Sequence, residues 1–182
     1  MKNYRVKRMT GISILAAVTI VLALISNNVT IATVNINLAL IPIVVGACIY
    51  GPTAGLLLGI IDGALICVAP STLAFFMPHN PLMTIVLCLL KTGIGGLLSG
   101  VFYNLFKNKN ELLAVFIASL ILPIVNTTIF IIGVILFFMP IYGNFINLIK
   151  GVLTINFLIE FIINLILSPT VFRIIKAKSV FR

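Results

Sequence analysis

Acidic side chains are almost missing from this chain. Asp62, Glu111 and Glu160 are the three in 182 residues, and no two are neighbours in sequence. Phosphoryl transfer and intramembrane proteolysis through paired or metal-bound carboxylates need such groups within reach of each other, and the sequence argues against both. Tryptophan is absent, and histidine occurs once, as His79, where a plain surface role in a loop is expected. HExxH, GxSxG and DxxD do not occur. Cys48, Cys67 and Cys88 lie singly in apolar runs without CxxC spacing, which reads as small packing residues rather than metal ligands. The stretch GPTAGLLLG, at 51–59, lacks the Lys and Ser/Thr of a phosphate-binding loop. The chain is therefore not expected to be an enzyme, to hydrolyse ATP by itself, or to need a metal or cofactor.

Charge of either sign is scarce. Only 8% of residues are charged while 62% are hydrophobic, against roughly 25% charged in soluble domains. So small a chain has no core large enough to hide that apolar surface from water. The apolar runs are long and uninterrupted, unlike the alternating segments of about ten residues in a membrane barrel. The fold class expected is an all-α integral membrane protein. The first run, after MKNYRVKR, is too long for the apolar region of a signal peptide and lacks a small-x-small cleavage site, so it reads as a retained span.

Six transmembrane helices are expected, at about 10–26, 36–50, 53–69, 82–106, 112–138 and 148–172, forming one domain over 1–182. The second and third turn back on each other at Gly51-Pro52. The segment 70–81, PSTLAFFMPHNP, reads as a proline-bounded loop. Six spans place both termini on one side. Lys2, Arg5, Lys7 and Arg8, then Lys107 and Lys109, then Arg173, Lys176, Lys178 and Arg182 all fall on that side, while the opposite loops, 27–37, 70–81 and 139–147, carry no Lys, Arg, Asp or Glu. By the positive-inside rule both termini are cytoplasmic. The same rule accounts for the net charge of +9 without nucleic acid as a partner; the partner of most of the surface is the lipid bilayer.

Glycine recurs at Gly51, Gly55, Gly59 and Gly63, and the later members share one helix face where another backbone can come close. Ionisable residues inside spans are costly and stand as functional hypotheses by default. Asp62, Lys91, Lys150 and Glu160 qualify. A cavity holding an anionic group at Lys91 or Lys150 is one reading; internal pairing of Lys91 with Asp62 or Glu160 is the other. Asn156, Glu160 and Asn164 recur every fourth residue, and Asn126, Thr127 and Thr128 follow Pro123, which leaves a backbone carbonyl without its usual partner. Amides of this kind serve either as glue between helices or as the lining of a pocket.

The turn A-x-x-Y-G-P-x-x-G at 47–55, LKTGIGGLLSG at 90–100 and PIVNT at 123–127, in this order within a chain of this length and span number, resemble the substrate-binding S components of energy-coupling factor (ECF) transporters. That resemblance implies capture of a vitamin outside a bacterial plasma membrane, and delivery with a coupling membrane subunit and two cytoplasmic ATPases. It implies a substrate site on the later helices and the first outer loop, here Lys91, Asn126, Thr127, Lys150, Asn156, Glu160 and Asn37. It also implies docking of the coupling subunit on the first three helices. In place of the family's Ala-x-x-x-Ala patch stand Ser13 with Ala17 and Thr19 with Ala23, and Gly55, Gly59 and Gly63 join them. The PIVNT segment is most similar to members assigned to pantothenate or pyridoxine-like compounds, and pantothenate is favoured because its carboxylate suits Lys91 and Lys150. Two rivals stand beside this reading. One is a proton-driven secondary transporter using Asp62 and Glu160; the other is a membrane scaffold with no small-molecule site.

Overall fold

A computed structural model describes residues 2–28, 30–31, 34–35, 37–138 and 145–180, with side chains described for 5–27, 37–138 and 157–177. Among the described residues seven helices follow one another: α1 (Lys2–Asn28), α2 (Leu40–Tyr50), α3 (Pro52–Cys67), α4 (Pro70–Phe75), α5 (Pro81–Phe106), α6 (Glu111–Phe137) and α7 (Phe145–Val180). Between α1 and α2, two strands of two residues each, β1 (Thr30–Ile31) and β2 (Val34–Asn35), pair antiparallel, with Thr30 opposite Asn35. The segment after Pro70, expected as loop throughout, begins with the six-residue helix α4 and turns back only at 76–80. Proline opens α3, α4 and α5 at a position whose N–H has no helical partner, so its missing donor costs nothing there. Asn80 and Asn110 cap α5 and α6, each side chain accepting a backbone N–H, from Met83 and Leu113, at 3.2 Å.

α2 occupies the centre. Leu40 and every residue from Pro42 to Cys48 are buried, and the helix touches α1, α3, α5, α6 and α7. Leu40, Ile43 and Val44 meet Leu58 of α3, Val115, Ala118 and Leu122 of α6, and Val171 and Ile175 of α7. The exterior is apolar instead of polar: Leu57, Ile85, Leu105, Ile132, Leu136 and Ile166 all face outward. An aqueous surface does not carry so continuous an apolar coat, so lipid is the solvent and the protein is a multi-pass membrane protein. α1, α5, α6 and α7 contain stretches long and apolar enough to cross a bilayer. α2 and α3, of 11 and 16 residues, are shorter, about 16 and 24 Å against about 30 Å of hydrocarbon.

Among the described residues, the basic side chains other than Lys91 gather at one end. Arg8 donates to the Tyr50 carbonyl and to Thr53 Oγ1, both at 3.0 Å, which ties the start of α1 to the α2–α3 turn. Gly100, near the end of α5, lies against Pro52 at that turn. Leu112 at the start of α6 and Phe172 of α7 line one cleft, which brings Arg173 and Lys176 to the same end as Lys107 and Lys109.

The glycine row of α3 is filled by α5. A Cβ on Gly55 meets the Gly96 carbonyl, and one on Gly96 meets the Gly55 carbonyl; at Gly59 it meets the Thr92 carbonyl, and at Gly63 the Cys88 carbonyl. Thr92 Oγ1 adds a hydrogen bond to the Gly59 carbonyl at 2.6 Å. Gly55, Gly59 and Gly63, expected on a docking face, are thus enclosed within the chain, because the backbone that the row admits is the chain's own fifth helix. A glycine is needed for a different reason at Gly51, whose φ of 94° and ψ of 175° lie in a region that L-residues avoid.

Thermal unfolding of the purified protein tests three of these glycines. Gly59→Ala should destabilise it by about 1–3 kcal/mol, since a backbone carbonyl must move. Gly93→Ala should cost much less, because the new methyl meets side-chain carbons of Ile60 and Leu56 at 3.3 and 3.4 Å and a backbone oxygen, that of Leu56, only at 4.0 Å. Equal melting points for the two variants would contradict this account of the α3–α5 contact. Gly51→Ala should cost about 1–3 kcal/mol from backbone strain alone, although nothing lies within 4 Å of the added Cβ.

Candidate functional site

Polar side chains from five parts of the fold converge between the helices. Asn37 stands just before α2, Asp62 on α3, Lys91 on α5, Asn126 on α6 and Glu160 on α7. At about 1.5 Å per residue they sit roughly 15 to 22 Å from the basic end, measured from Pro52, Phe106, Glu111 and Phe172. Asn37 is the joint. Its Nδ2 donates to Asp62 Oδ2 at 2.9 Å, its Oδ1 accepts the Ala39 N–H at 3.1 Å, and its backbone N–H donates to the Glu160 carboxylate. Ser26 Oγ accepts the next backbone N–H, that of Leu38, at 3.0 Å. The Asn126 amide also donates to Glu160, and Asn164 Nδ2 donates to the Glu160 carbonyl at 2.8 Å.

Asp62 is fully buried and Glu160 nearly so. Lys91 is half-buried, with Nζ 4.7 Å from the centre of the Phe130 ring, a cation–π arrangement, and its charge acts on both carboxylates at Coulombic range. The charges of Asp62 and Glu160 also act on each other. Beside Lys91 stands an aromatic wall. Phe76 meets Phe130 and Phe138 edge to face, with centroids 5.6 and 5.2 Å apart, and Leu87 and Val134 close the group from behind. Phe76 follows α4 directly, so the short helix that the sequence concealed delivers a ring to this wall. Among the described residues, two oxygens remain without a hydrogen-bond partner although buried, Asp62 Oδ1 and Asn126 Oδ1.

Of the residues expected to bind substrate, Asn37, Lys91, Asn126 and Glu160 are brought together. Thr127 is half-buried beside Asn126. Lys150 and Asn156 lie on α7 but outside the residues whose side chains are described. Asp62, left out of the expected substrate-binding set and offered as a pairing partner of Lys91, is a member of the cluster; its only signal was an acid within a span. Of the docking residues, Ser13 and Ala17 are exposed, whereas Thr19 and Ala23 are buried, Thr19 Oγ1 donating to the Leu15 carbonyl at 2.8 Å. His79 is exposed at the turn into α5, with Nδ1 3.2 Å from the Phe75 carbonyl. Cys67 and Cys88, solitary in sequence, have hydrogen-bonded side chains across α3 and α5. Among the described residues no three His, Cys, Asp or Glu side chains gather to hold a metal. A cleft of about 330 Å³ between α6 and α7, lined by Leu112, Phe116, Leu165, Ser168, Pro169 and Phe172, is apolar and belongs to the basic end rather than to the polar cluster.

Buried amides, two acids and a lysine beside an aromatic wall can hold a small polar molecule by orientation and burial. Nothing among curated proteins or solved structures matches the chain. The model of one family, described as "ECF transporter, substrate-specific component", matches residues 7–172, which takes in all five residues of the cluster. The chain therefore belongs to the family of ECF transporter substrate-specific components.

Proposed function

We propose that this chain captures a small water-soluble vitamin at the Asn37–Asp62–Lys91–Asn126–Glu160 cluster and delivers it with a coupling membrane subunit and two cytoplasmic ATPases. The observation that carries this reading is the convergence of polar groups from α3, α5, α6, α7 and the segment before α2 inside an otherwise apolar bundle. A scaffold needs polar contacts between neighbouring pairs of helices and gains nothing from leaving two buried acceptors bare. Such acceptors are what a ligand site leaves open. The preference for pantothenate rests on Lys91 and Lys150 meeting its carboxylate, and the Lys150 side chain lies outside the described residues. Lys91 already has two carboxylates and an aromatic face for company, which weighs against pantothenate.

In this reading all six long or central helices cross the bilayer, with the basic end and both termini cytoplasmic. The shortness of α2 and α3 is compatible with crossing, because α2 is sheathed by other helices and α3 is backed by α5. The coupling subunit docks on the exposed face of α1 that carries Ser13 and Ala17, with Ile14, Val18 and Val21 beside them. Small side chains there let a foreign helix approach. Thr19 and Ala23 face inward and keep α1 on its own bundle. The proton-driven alternative draws on one observation, the nearness of Asp62 and Glu160, and predicts uptake in vesicles without any ATPase that an uncoupler abolishes.

A thermal-shift screen of the detergent-purified protein against water-soluble vitamins tests the capture reading. One vitamin should raise stability by about 4 kcal/mol at a thousandfold excess over its Kd, and Asn126→Leu should abolish the shift. ATPase-free uptake sensitive to an uncoupler would instead favour the proton-driven transporter. For docking, Ala17→Leu should prevent co-purification with the coupling subunit while leaving the vitamin shift intact. An unchanged yield of the complex would place the contact elsewhere.

A further inference from the structure

Counting donors and acceptors in the cluster gives a lopsided result. Asn37 gives one of its two side-chain N–H groups to Asp62 and its backbone N–H to Glu160. One N–H of the Asn126 amide goes to Glu160, one of the Asn164 amide to a carbonyl of its own helix, and the Thr92 hydroxyl to the Gly59 carbonyl. Among the described residues, two buried side-chain oxygens have no hydrogen-bond partner, Asp62 Oδ1 on a fully buried residue and Asn126 Oδ1 on a residue 7% exposed. Both only accept. A buried acceptor left bare is costly, more so when charged.

The charges lean the same way. Among the described residues, Asp62 and Glu160 face the single cation Lys91, two negative groups against one positive. Lys91 itself rests on the Phe130 ring. A carboxylate brought here would add a third negative group, and in a low dielectric such repulsion is barely screened.

We propose that the cluster receives its ligand through a cationic or N–H-bearing group, an ammonium or a protonated nitrogen heterocycle, which donates to Asp62 Oδ1 and Asn126 Oδ1, and not through a carboxylate. This rests on the capture reading above and gives it a substrate class. Phe76 and Phe130 supply a face for a flat ring, so the ligand class is a small cationic heteroaromatic.

The test measures dissociation constants of the full chain in detergent, by titration calorimetry, for thiamine and pyridoxamine as cationic probes and for pantothenate and nicotinate as carboxylates. A cationic probe should bind and neither carboxylate should. Asp62→Asn, which keeps the shape and removes the charge, should weaken the cationic probe about tenfold or more, the worth of one charge-assisted hydrogen bond. Lys91→Met should act with the opposite sign and tighten it, and this arm stands even if Asp62→Asn fails to fold. Binding of a carboxylate probe that Lys91→Met abolishes would overturn the inference and leave the capture reading intact. Silence from all four probes also overturns it. Co-purification with the coupling subunit then tells whether the capture reading falls too: a chain that assembles still has a cargo of another class, and a chain that does not assemble is no capture subunit.

Discussion

Where a carbonyl of one helix lies against the Cα of another, neither can roll or slide without collision. α3 and α5 are held in this way at successive levels, Gly55 on Gly96, Gly59 on Thr92 and Gly63 on Cys88, with a Thr92 hydrogen bond across the middle. In lipid no hydrophobic force draws helices together, so contact at this range, summed over many atoms, is what association depends on. The rest of the bundle takes its position from that pair. α5 presents Lys91 one residue before Thr92, and α3 presents Asp62 one residue before Gly63. Both ends of the polar cluster are therefore set by the same contact that fixes the two backbones.

Around this pair the protein encloses charge in a medium that resists it. The cluster does so by sharing. One asparagine serves both acids, bonding Asp62 through its side chain and Glu160 through its backbone, and Ser26 and Ala39 engage the backbone around it. A direct ion pair would satisfy the charges more simply but would leave no group turned toward a guest, and breaking it on binding would cost several kcal/mol. Amide bridges hold the carboxylates in place while one oxygen stays open. The aromatic wall beside Lys91 lets the ammonium rest without closing on either acid.

Much of this was legible in the residues, and the gaps have physical reasons. Six apolar runs become α1, α2, α3, α5, α6 and α7, because a chain in lipid has few other ways to satisfy its backbone. The Gly51-Pro52 turn was readable because glycine there supplies a conformation and proline a helix start. The glycine row was seen, but its partner was not. A stripe of small residues admits any backbone, and sequence does not say whether that backbone belongs to α5 or to another subunit. The convergence of Lys91, Asn126 and Glu160 was legible as shared depth along separate helices. The choice between ligand contact and pairing was not, since it depends on helix rotation. α4 was hidden by its prolines, which mark a loop edge and a helix start equally well. The meeting of Cys67 with Cys88 has no signal in spacing, because it arises only from the register of two helices.

The central position of α2 bears on how the chain is assembled. A helix walled in by five others has no lateral path into its place once they have closed, and it is too short to be a comfortable lodger in lipid by itself. Its order in the chain answers both difficulties. α2 leaves the ribosome second, joined by a single-residue turn to α3, with four of the five walls still unmade. α3 and α5 then shut one flank, and α6 and α7 the other. Sequence order is also construction order: the keystone is laid early and the arch is built around it, and a circular permutation that moved α2 to the end would ask it to enter a finished vault.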